Sequence, residues 1–311
     1  MPLCFTLHIQ ENSLPVDKAI DKKLTMFGEI IRSFRKQSGL SQLDFVNALQ
    51  KSSSNFDNLD VVTLSRWERG ATKPHLNRQN EILDMLGVDI FDVWSAANDV
   101  TNLPDYTNRI NNHGYFNEPS ITDIELTVIN ATNLSKLPDL LSLIDVIFEY
   151  EENAIFSVME SQGLSRESIV IKIINQYDGE LTIASKHGQV LGHLFSANYH
   201  LATELLGEDI LFHDQNVYFM LSFNCSHIAS LVETLSREVY RYIHSLDPQT
   251  ELVLYVNNAV IFNLFFSLSF EYRSINKHDT VFKLMNINIK TLKSQRVWMN
   301  LLSQYKGKHD A

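Results

Sequence analysis

The sequence predicts a multidomain protein in which a small all-α domain precedes an α+β domain with a mixed, mostly antiparallel sheet. Three observations carry this prediction. The chain has 311 residues, which is enough for two domains. Apolar residues recur at helical spacing over residues 26–94, whereas short β-branched runs alternate with helical patterns from residue 121 onward. The Asn-rich stretch 96–120 separates the two patterns and predicts a linker.

The first domain is predicted to hold five helices. We expect them at residues 26–37, 42–50, 61–69, 75–86 and 88–97. Gly39 follows the first helix as a stop signal, and Ser41 and Asp60 are good N-caps for the second and third. An N-terminal arm, residues 1–21, precedes this domain of residues 22–95.

The second domain, residues 121–286, is predicted to alternate strands and helices. Strands are expected at 124–129, 181–184, 190–195, 217–223, 251–256, 270–274 and 281–285, and helices at 138–159, 228–244 and 259–267. The sequence "SKHGQ" predicts a hairpin between the second and third strands. Residues 168–174 fit a strand or a short helix, and the tail 287–311 reads as helical.

Charge is distributed unevenly along the chain. The net charge is −11, yet residues 22–80 carry ten basic and five acidic residues, so this segment is +5 and the remainder −16. An acidic body with one small basic module is typical of a regulator whose module meets phosphate. Two cysteines, no signal sequence and no long apolar run predict a cytoplasmic protein with no membrane partner.

Residues 26–94 resemble the Xre/Cro-repressor family of helix-turn-helix DNA-binding domains. The resemblance rests on "FGEIIRSFRKQSGLSQLDF" (27–45) and "TLSRWERGATKP" (63–74), followed by an apolar helix that ends at Gly87. It implies that the third helix enters the major groove of double-stranded operator DNA. One departure is the polar insertion at residues 50–60, where family members have a very short turn.

The third helix supplies most of the candidate DNA-binding residues. Leu64 and Trp67 share one helix face and are expected in the core. Arg66 can bond guanine or grip phosphate. The full candidate set is Gln42, which by resemblance bonds the DNA backbone, with Val61, Val62, Thr63, Ser65, Arg66, Arg69 and Lys73; Arg35 or Lys36 is a further phosphate candidate.

Residues 121–285 resemble the GNAT acetyltransferase fold. The resemblance rests on the order and spacing of "IELTVINATNLSKLPDLL" (124–141), "LTIASKHGQVLGHLF" (181–195), "VYFMLSF" (217–223) and "ELVLYVNNAVIFNLFFSLSFEYRS" (251–274). It places Asn258, Leu264 and Phe270 on the family's Asn, Leu and final Phe. It also implies a fourth and a fifth strand that separate around a ligand.

Three positions depart from the family's catalytic pattern. In "NCSHIAS" (224–230), Asn224 takes the place of the family's basic or amide residue, and His227 stands where a glycine normally exposes backbone amides to pyrophosphate. Phe265 occupies the position of the usual proton-donating tyrosine, and Ser269 replaces a glycine. These departures lead us to expect no enzymatic activity and no cofactor. His193, His200, His213, Cys225 and His227 show no spacing typical of zinc, so no metal site is expected.

The sequence therefore predicts a DNA-binding transcription regulator that forms a homodimer through its second domain. That domain is expected to sense a small acyl ligand, with Phe223, Tyr255, Asn258 and Phe265 as candidate ligand-binding residues. Two alternatives stay open: an N-acetyltransferase carried to DNA by the helix-turn-helix module, and an antitoxin-like interaction protein with a protein partner.

Overall fold

The structure is a computed structural model that describes residues 27–97, 123–135, 141–151, 153–207, 217–245 and 250–309. Contacts divide the chain between Asn98 and Asp99 into two compact units, which are described separately below. The predicted arm at 1–21 and nearly all of the predicted linker at 96–120 lie outside the described residues. None of the described helices is long and apolar enough to cross a membrane.

The N-terminal unit holds five α-helices, which confirms the predicted number and order. They are α1 (Phe27–Gln37), α2 (Gln42–Ser52), α3 (Val61–Glu68), α4 (Leu76–Met85) and α5 (Ile90–Ala97). Ser41 caps α2 in a capping box with Asp44, and the Asp60 carboxylate accepts from the Thr63 amide at the start of α3. Trp67 and Leu64 are buried between the helices, as expected.

Two apolar residues of the predicted helices are exposed. The buried face of α2 runs through Phe45, Val46 and Leu49 and excludes Leu43, and Met85 lies at the end of α4. The polar insertion at 50–60 contributes to the core as well as to the surface. Its 3-10 turn, Ser54–Phe56, inserts Phe56 into the core with 1% of its surface exposed.

The C-terminal unit contains one seven-stranded sheet. Its strands are β1 (Glu125–Ile129), β2 (Glu180–Lys186), β3 (Gln189–Asn198), β4 (Val217–Cys225), β5 (Glu251–Tyr255), β6 (Glu271–Lys277) and β7 (Thr280–Asn288), arranged in the order β1-β2-β3-β4-β5-β7-β6. All neighbours are antiparallel except β4 and β5, which are parallel. Each predicted strand is present, and the hairpin between β2 and β3 turns at His187 and Gly188, both with positive φ.

Eight α-helices accompany the sheet in the described part of this unit. They are α6 (Leu141–Glu151), α7 (Ala154–Ser161), α8 (Arg166–Gln176), α9 (Tyr199–Leu206), α10 (Ile228–Ser245), α11 (Ala259–Ser267), α12 (Ile289–Lys293) and α13 (Arg296–His309). The ambiguous segment 168–174 is helical and lies within α8. The predicted single helix 138–159 is wrong, because α6 ends at Glu151 and Asn153 caps a second helix, α7. The tail is two helices rather than one, and α9 was not predicted.

Candidate functional site

The strands β4 and β5 pair along only half of β4. Their parallel register runs from Val217 opposite Glu251 to Met220 opposite Leu254 and stops there. Beyond that point β4 continues to pair with β3, and β5 continues to pair with β7. The two strands therefore separate and leave a crevice between the end of β4 and the end of β5.

A β-bulge in β4 marks the start of the crevice. Phe195 of β3 lies opposite Ser222, but Ser196 lies opposite Met220, so Leu221 is the extra residue on β4. A bulge bends its strand and increases the local twist, which turns the strand away from a neighbour. The bulge thus leaves the Leu221 carbonyl and the Phe223 amide facing the crevice instead of a partner strand.

The α6–α7 junction is the name used here for Glu151, Asn153 and Ala154. Two of its side chains form hydrogen bonds with the Leu221 carbonyl and the Phe223 amide. The Phe223 amide donates to Glu151 Oε1 at 3.1 Å, and Asn153 Nδ2 donates to the Leu221 carbonyl at 2.7 Å. Glu151 and Asn153 are 8% and 1% exposed. Buried backbone groups are normally paired, so the junction does here what a neighbouring strand would do.

The same junction is also bonded to the other wall of the crevice. The Ala154 amide donates to the Tyr255 hydroxyl at 3.3 Å, and Asn257 Nδ2 donates to the Glu151 carbonyl. Burial raises the pKa of the Tyr255 hydroxyl, which keeps it protonated. The junction therefore lies between the separated strands and contacts both.

A buried polar cluster lies where the junction meets β4. Ser222 Oγ donates to Glu151 Oε2 at 2.6 Å, and its oxygen lies 2.7 Å from His193 Nε2. His193 Nε2 is 3.3 Å from the same carboxylate oxygen. Because Ser222 gives its only proton to Glu151, His193 Nε2 is the donor in its bond with Ser222. A carboxylate, a hydroxyl and an imidazole are thus linked within one buried site.

The four predicted ligand-binding residues do not share one surface. Phe265 is fully buried, with its ring 6.2 Å from that of Phe223 and 4.9 Å from that of Phe270. Phe223 and Tyr255 flank the crevice. Asn258 instead lines an open groove of about 240 Å³, together with Phe262, Tyr272 and Lys283 among others. Their roles in ligand binding stay predictions.

The loop before α10 already uses polar groups that could meet an anion. The Ser226 amide donates to the Leu191 carbonyl at 2.7 Å, and the Ser226 hydroxyl bonds the same carbonyl. His227 Nδ1 lies 2.8 Å from the Ser226 hydroxyl. The departure seen in the sequence at His227 thus coincides with a loop that bonds to β3.

Within the part of the chain that the structure describes, no three His, Cys, Asp or Glu residues group together as metal ligands. Cys225 is buried, and burial raises the pKa of its thiol to about 12. Among the histidines that the structure describes, His193 is the one bonded to Ser222 and Glu151.

In the N-terminal unit, the predicted DNA-binding residues lie along α3 and the loop after it. Val62 is 57% exposed, and Arg66, Arg69 and Lys73 are exposed as well, whereas Val61, Thr63 and Ser65 are half-buried. Arg69 Nε donates to the Ser65 carbonyl at 3.1 Å. The exposed side of α3 thus presents an apolar residue and a cation.

Two of the candidate DNA-binding residues, Arg35 and Gln42, form hydrogen bonds within the N-terminal unit. Arg35 is bonded to the buried Glu68 carboxylate through Nε at 2.5 Å and Nη2 at 3.0 Å, and its side chain is 11% exposed. It is therefore not a phosphate contact, and Lys36, which is exposed, remains the candidate of the two. Gln42 Nε2 donates to Glu68 Oε2 at 2.8 Å, so its bond to a DNA backbone stays a prediction.

Sequence reasoning missed Glu151, Asn153 and Ser222. Periodicity treats residues 141–159 as one apolar helix and does not report contacts made across more than sixty positions. A signal was present in the run "YEENA" (150–154), where two acidic residues and an Asn interrupt an apolar pattern. Asn is also a preferred N-cap, so this run could have indicated a helix boundary.

No protein-family model and no curated protein matches the sequence. Solved structures do match the chain. The aminoglycoside acetyltransferase AAC(6')-Ib, in complex with coenzyme A, is 14% identical over 56% of this chain and 99% of its own, with a TM-score of 0.36. Arabidopsis thaliana NAA60, in complex with acetyl-CoA, is 17% identical over 54% of this chain and 99% of its own, with a TM-score of 0.35. An acyl-CoA N-acyltransferase from Pseudomonas aeruginosa is 14% identical over 52% of this chain and 99% of its own, with a TM-score of 0.36.

These matches correct one expectation from the sequence. We expect no enzymatic activity from the sequence, but the three solved structures named above are acetyltransferases or acyltransferases, and two of them hold coenzyme A or acetyl-CoA. The expectation that the chain is not an enzyme is therefore wrong as a conclusion from three altered positions. The C-terminal unit has a GNAT-like fold, with seven strands and a parallel β4–β5 pair that separates at a bulge.

Proposed function

We propose that this protein transfers an acyl group from an acyl-CoA thioester to an amine, and that its N-terminal unit carries this activity to DNA. The observation that carries the proposal is the crevice at the β4 bulge. There the Phe223 amide, which no strand pairs, lies beside the buried His193–Ser222–Glu151 cluster. A fixed amide donor next to proton-transfer groups is the arrangement that acyl transfer requires.

The Phe223 amide would stabilise the developing oxyanion. In the present state Glu151 Oε1 accepts this amide at 3.1 Å, so a carboxylate oxygen stands where the thioester carbonyl oxygen would bind. Once Glu151 withdraws, the amide is free for that oxygen. A preorganised donor aimed at developing negative charge is a large contributor to acyl-transfer catalysis.

Ser222 and His193 would take the proton of the attacking amine. After Glu151 withdraws, His193 must take the tautomer with its proton on Nδ1, and the Ser222 hydroxyl is then free to donate to the unprotonated Nε2, 2.7 Å away. The amine nitrogen attacks the thioester carbonyl carbon and gives its proton to Ser222 Oγ, while Ser222 passes its own proton to His193. The C–N bond forms, the C–S bond breaks, and the coenzyme A thiolate leaves and takes a proton from water. Phe265 takes no part in these proton transfers.

The test is thiol release from acetyl-CoA by the full chain with a panel of primary amines and basic peptides. His193→Asn should lower kcat by about 10²- to 10⁴-fold with little change in the KM for acetyl-CoA. The substitution removes the proton acceptor but leaves the groups that bind acetyl-CoA in place. His200→Asn, in α9 and outside the cluster, is the matched control. Equal turnover by the two variants would exclude His193 as the acceptor.

For the N-terminal unit we propose sequence-specific binding to double-stranded DNA. Support comes from the +5 segment, the five-helix order and the exposed side of α3, where an apolar Val62 and Arg66 lie together. Valine can contact a thymine methyl, and arginine can bond guanine. Selection of bound fragments from a random duplex pool tests this, and recovery of no common sequence would contradict specific binding.

A second candidate function is transcriptional regulation by acyl-ligand sensing, with the protein acting as a homodimer. The observation that favours it is the α6–α7 junction, which is bonded to both walls of the crevice and could be displaced by a ligand. Two tethered DNA-binding modules would gain affinity from effective concentration. Sedimentation of the full chain with and without acetyl-CoA, followed by operator binding, separates this function from catalysis; a monomer with no turnover would contradict both.

A further inference from the structure

We propose that the α6–α7 junction is a built-in closure of the crevice, so that an acyl thioester enters only when the junction withdraws. The inference rests on the acyl-transfer function proposed above, because both need the same β4 edge. It goes further in assigning a regulatory contact to residues of this chain.

The first step concerns which strand groups the junction occupies. The Leu221 carbonyl and the Phe223 amide are the acceptor and donor that an extended ligand bearing amide groups would pair with. Asn153 Nδ2 and Glu151 Oε1 already supply the complementary donor and acceptor, at 2.7 and 3.1 Å. A ligand cannot bond these groups while the junction does.

The junction contacts both walls of the crevice. The junction is bonded not only to β4 but also to Tyr255 and Asn257 on the opposite wall. It therefore fills the crevice rather than bordering it. Glu151 and Asn153 are almost fully buried there, so the junction is packed between the two walls at this level.

The third step concerns how the junction can move. Asn153 is the N-cap of α7 and has extended backbone (φ −77°, ψ 115°), so α6 and α7 are separate helices. On its outer side α6 is tied to Arg166 by Asp145 at 3.3 Å and Glu149 at 3.4 Å, whose side chains are 63% and 61% exposed. Exposed ion pairs of this kind hold little free energy, so the outer side of α6 is held weakly. Ile144 and Ile147 on its inner side are buried in the core, so the movement required is that of Glu151 at the end of the helix.

The fourth step concerns the exchange itself. Amide groups of an entering ligand would replace the Asn153 donor at Leu221 and the Glu151 acceptor at Phe223. Withdrawal of Glu151 also releases the Ser222 hydroxyl, on which the proposed proton transfer depends. Opening of the crevice and assembly of the catalytic groups are thus the same event.

The experiment compares Asn153→Ala with Asn198→Ala in the full chain. Each substitution removes one side-chain N-cap bond, from Ile155 in α7 or from His200 in α9, but only Asn153 also holds Leu221. The probe is acetyl-CoA. Calorimetry measures its binding affinity, and hydrogen exchange is measured on peptides that contain residues 221–225 and 150–156. Tyr255→Phe, which removes the bond to Ala154, is a second variant with little change in shape.

We expect Asn153→Ala to bind acetyl-CoA about 2- to 12-fold more tightly than Asn198→Ala, as the loss of one closing hydrogen bond predicts. Without ligand, the Phe223 amide should exchange faster in Asn153→Ala and Tyr255→Phe than in Asn198→Ala. In the wild type, acetyl-CoA should speed exchange within residues 150–156.

Failure of the closure and failure of the proposed function give different results. If Phe223 exchange is the same in all variants, or if acetyl-CoA binds the wild type with unchanged exchange at 150–156, the closure is overturned. If no variant binds acetyl-CoA but Phe223 exchanges faster in Asn153→Ala, the closure is supported and the acyl-CoA function is overturned.

Discussion

Replacing Arg35 with alanine should destabilise the N-terminal unit by about 3–5 kcal/mol, the range for breaking a buried ion pair from one side. Arg35 donates to both oxygens of Glu68, at 2.5 and 3.0 Å, and through Nη1 to the Leu40 carbonyl at 2.8 Å. The Glu68 side chain is only 3% exposed. Without Arg35 this carboxylate keeps the hydrogen bond from Gln42 but loses both guanidinium donors and the positive charge beside it.

The two units need not unfold together, so the assay should report on this unit alone. Hydrogen exchange of a peptide covering residues 61–69 in the full chain, measured over a denaturant series, gives its opening free energy. Arg66→Ala, which removes an exposed arginine, is the control and should stay within about 0.5 kcal/mol. The double change Arg35→Leu with Glu68→Leu should recover most of the loss, because no buried charge is left unpaired.

The Arg35–Glu68 ion pair also predicts that the stability of the N-terminal unit depends on pH. Burial alone would raise the pKa of the Glu68 carboxyl, but the hydrogen bonds from Arg35 and Gln42 and the nearby positive charge outweigh it, and the pKa is lower than its ordinary 4.5. The stability from this group is therefore complete above the unfolded pKa and is lost as the pH falls through the folded pKa. The reasoning is refuted if Arg35→Ala costs under about 1 kcal/mol at neutral pH, or if the double variant is as unstable as the single one.

Three further predictions follow. Arg66→Ala should weaken binding to a selected duplex by about 5- to 150-fold and relax its sequence preference, measured by fluorescence anisotropy; unchanged preference would mean that Arg66 reads no base. Gly28→Ala should destabilise the same helices by about 1–3 kcal/mol, because a Cβ there would lie 2.1 Å from the Trp67 carbonyl oxygen and push α1 from α3; a wild-type opening free energy would contradict this packing. Cys225, with a thiol pKa of about 12, should resist iodoacetamide in the native chain and react on unfolding, as peptide mass spectrometry would show, and native alkylation would mean that the site opens readily.

Local signals were enough to predict most of the fold. Ser41 and Asp60 are strong N-caps before apolar patterns, and the structure confirms both caps. The short runs of aliphatic and aromatic residues in β4 and β5 also predict their strands closely, because buried strands of a mixed sheet are apolar on both faces. The order of these elements came from a family resemblance and not from periodicity.

The candidate site was harder to predict, because it depends on contacts far apart in the sequence. Glu151 and Asn153 meet β4 across 72 and 68 positions, and no local pattern encodes such a meeting. In the sequence His193 is one of several scattered histidines, because its neighbour Ser222 lies on another strand. The bulge at Leu221 is equally invisible in the sequence, where "VYFMLSF" reads as an uninterrupted strand.

Asn153 uses the two ends of one amide for two tasks. Its oxygen accepts from Ile155 and starts α7, while its nitrogen holds Leu221. The stability of the first turn of a helix and the accessibility of the crevice are consequently linked through a single side chain. Substitutions in the buried face of α7, at Phe156 or Met159, would alter how firmly that turn is held without touching any ligand. Substitutions that accumulate in such a helix could then change the concentration of acyl ligand that opens the crevice. The chemical groups in the crevice would stay the same.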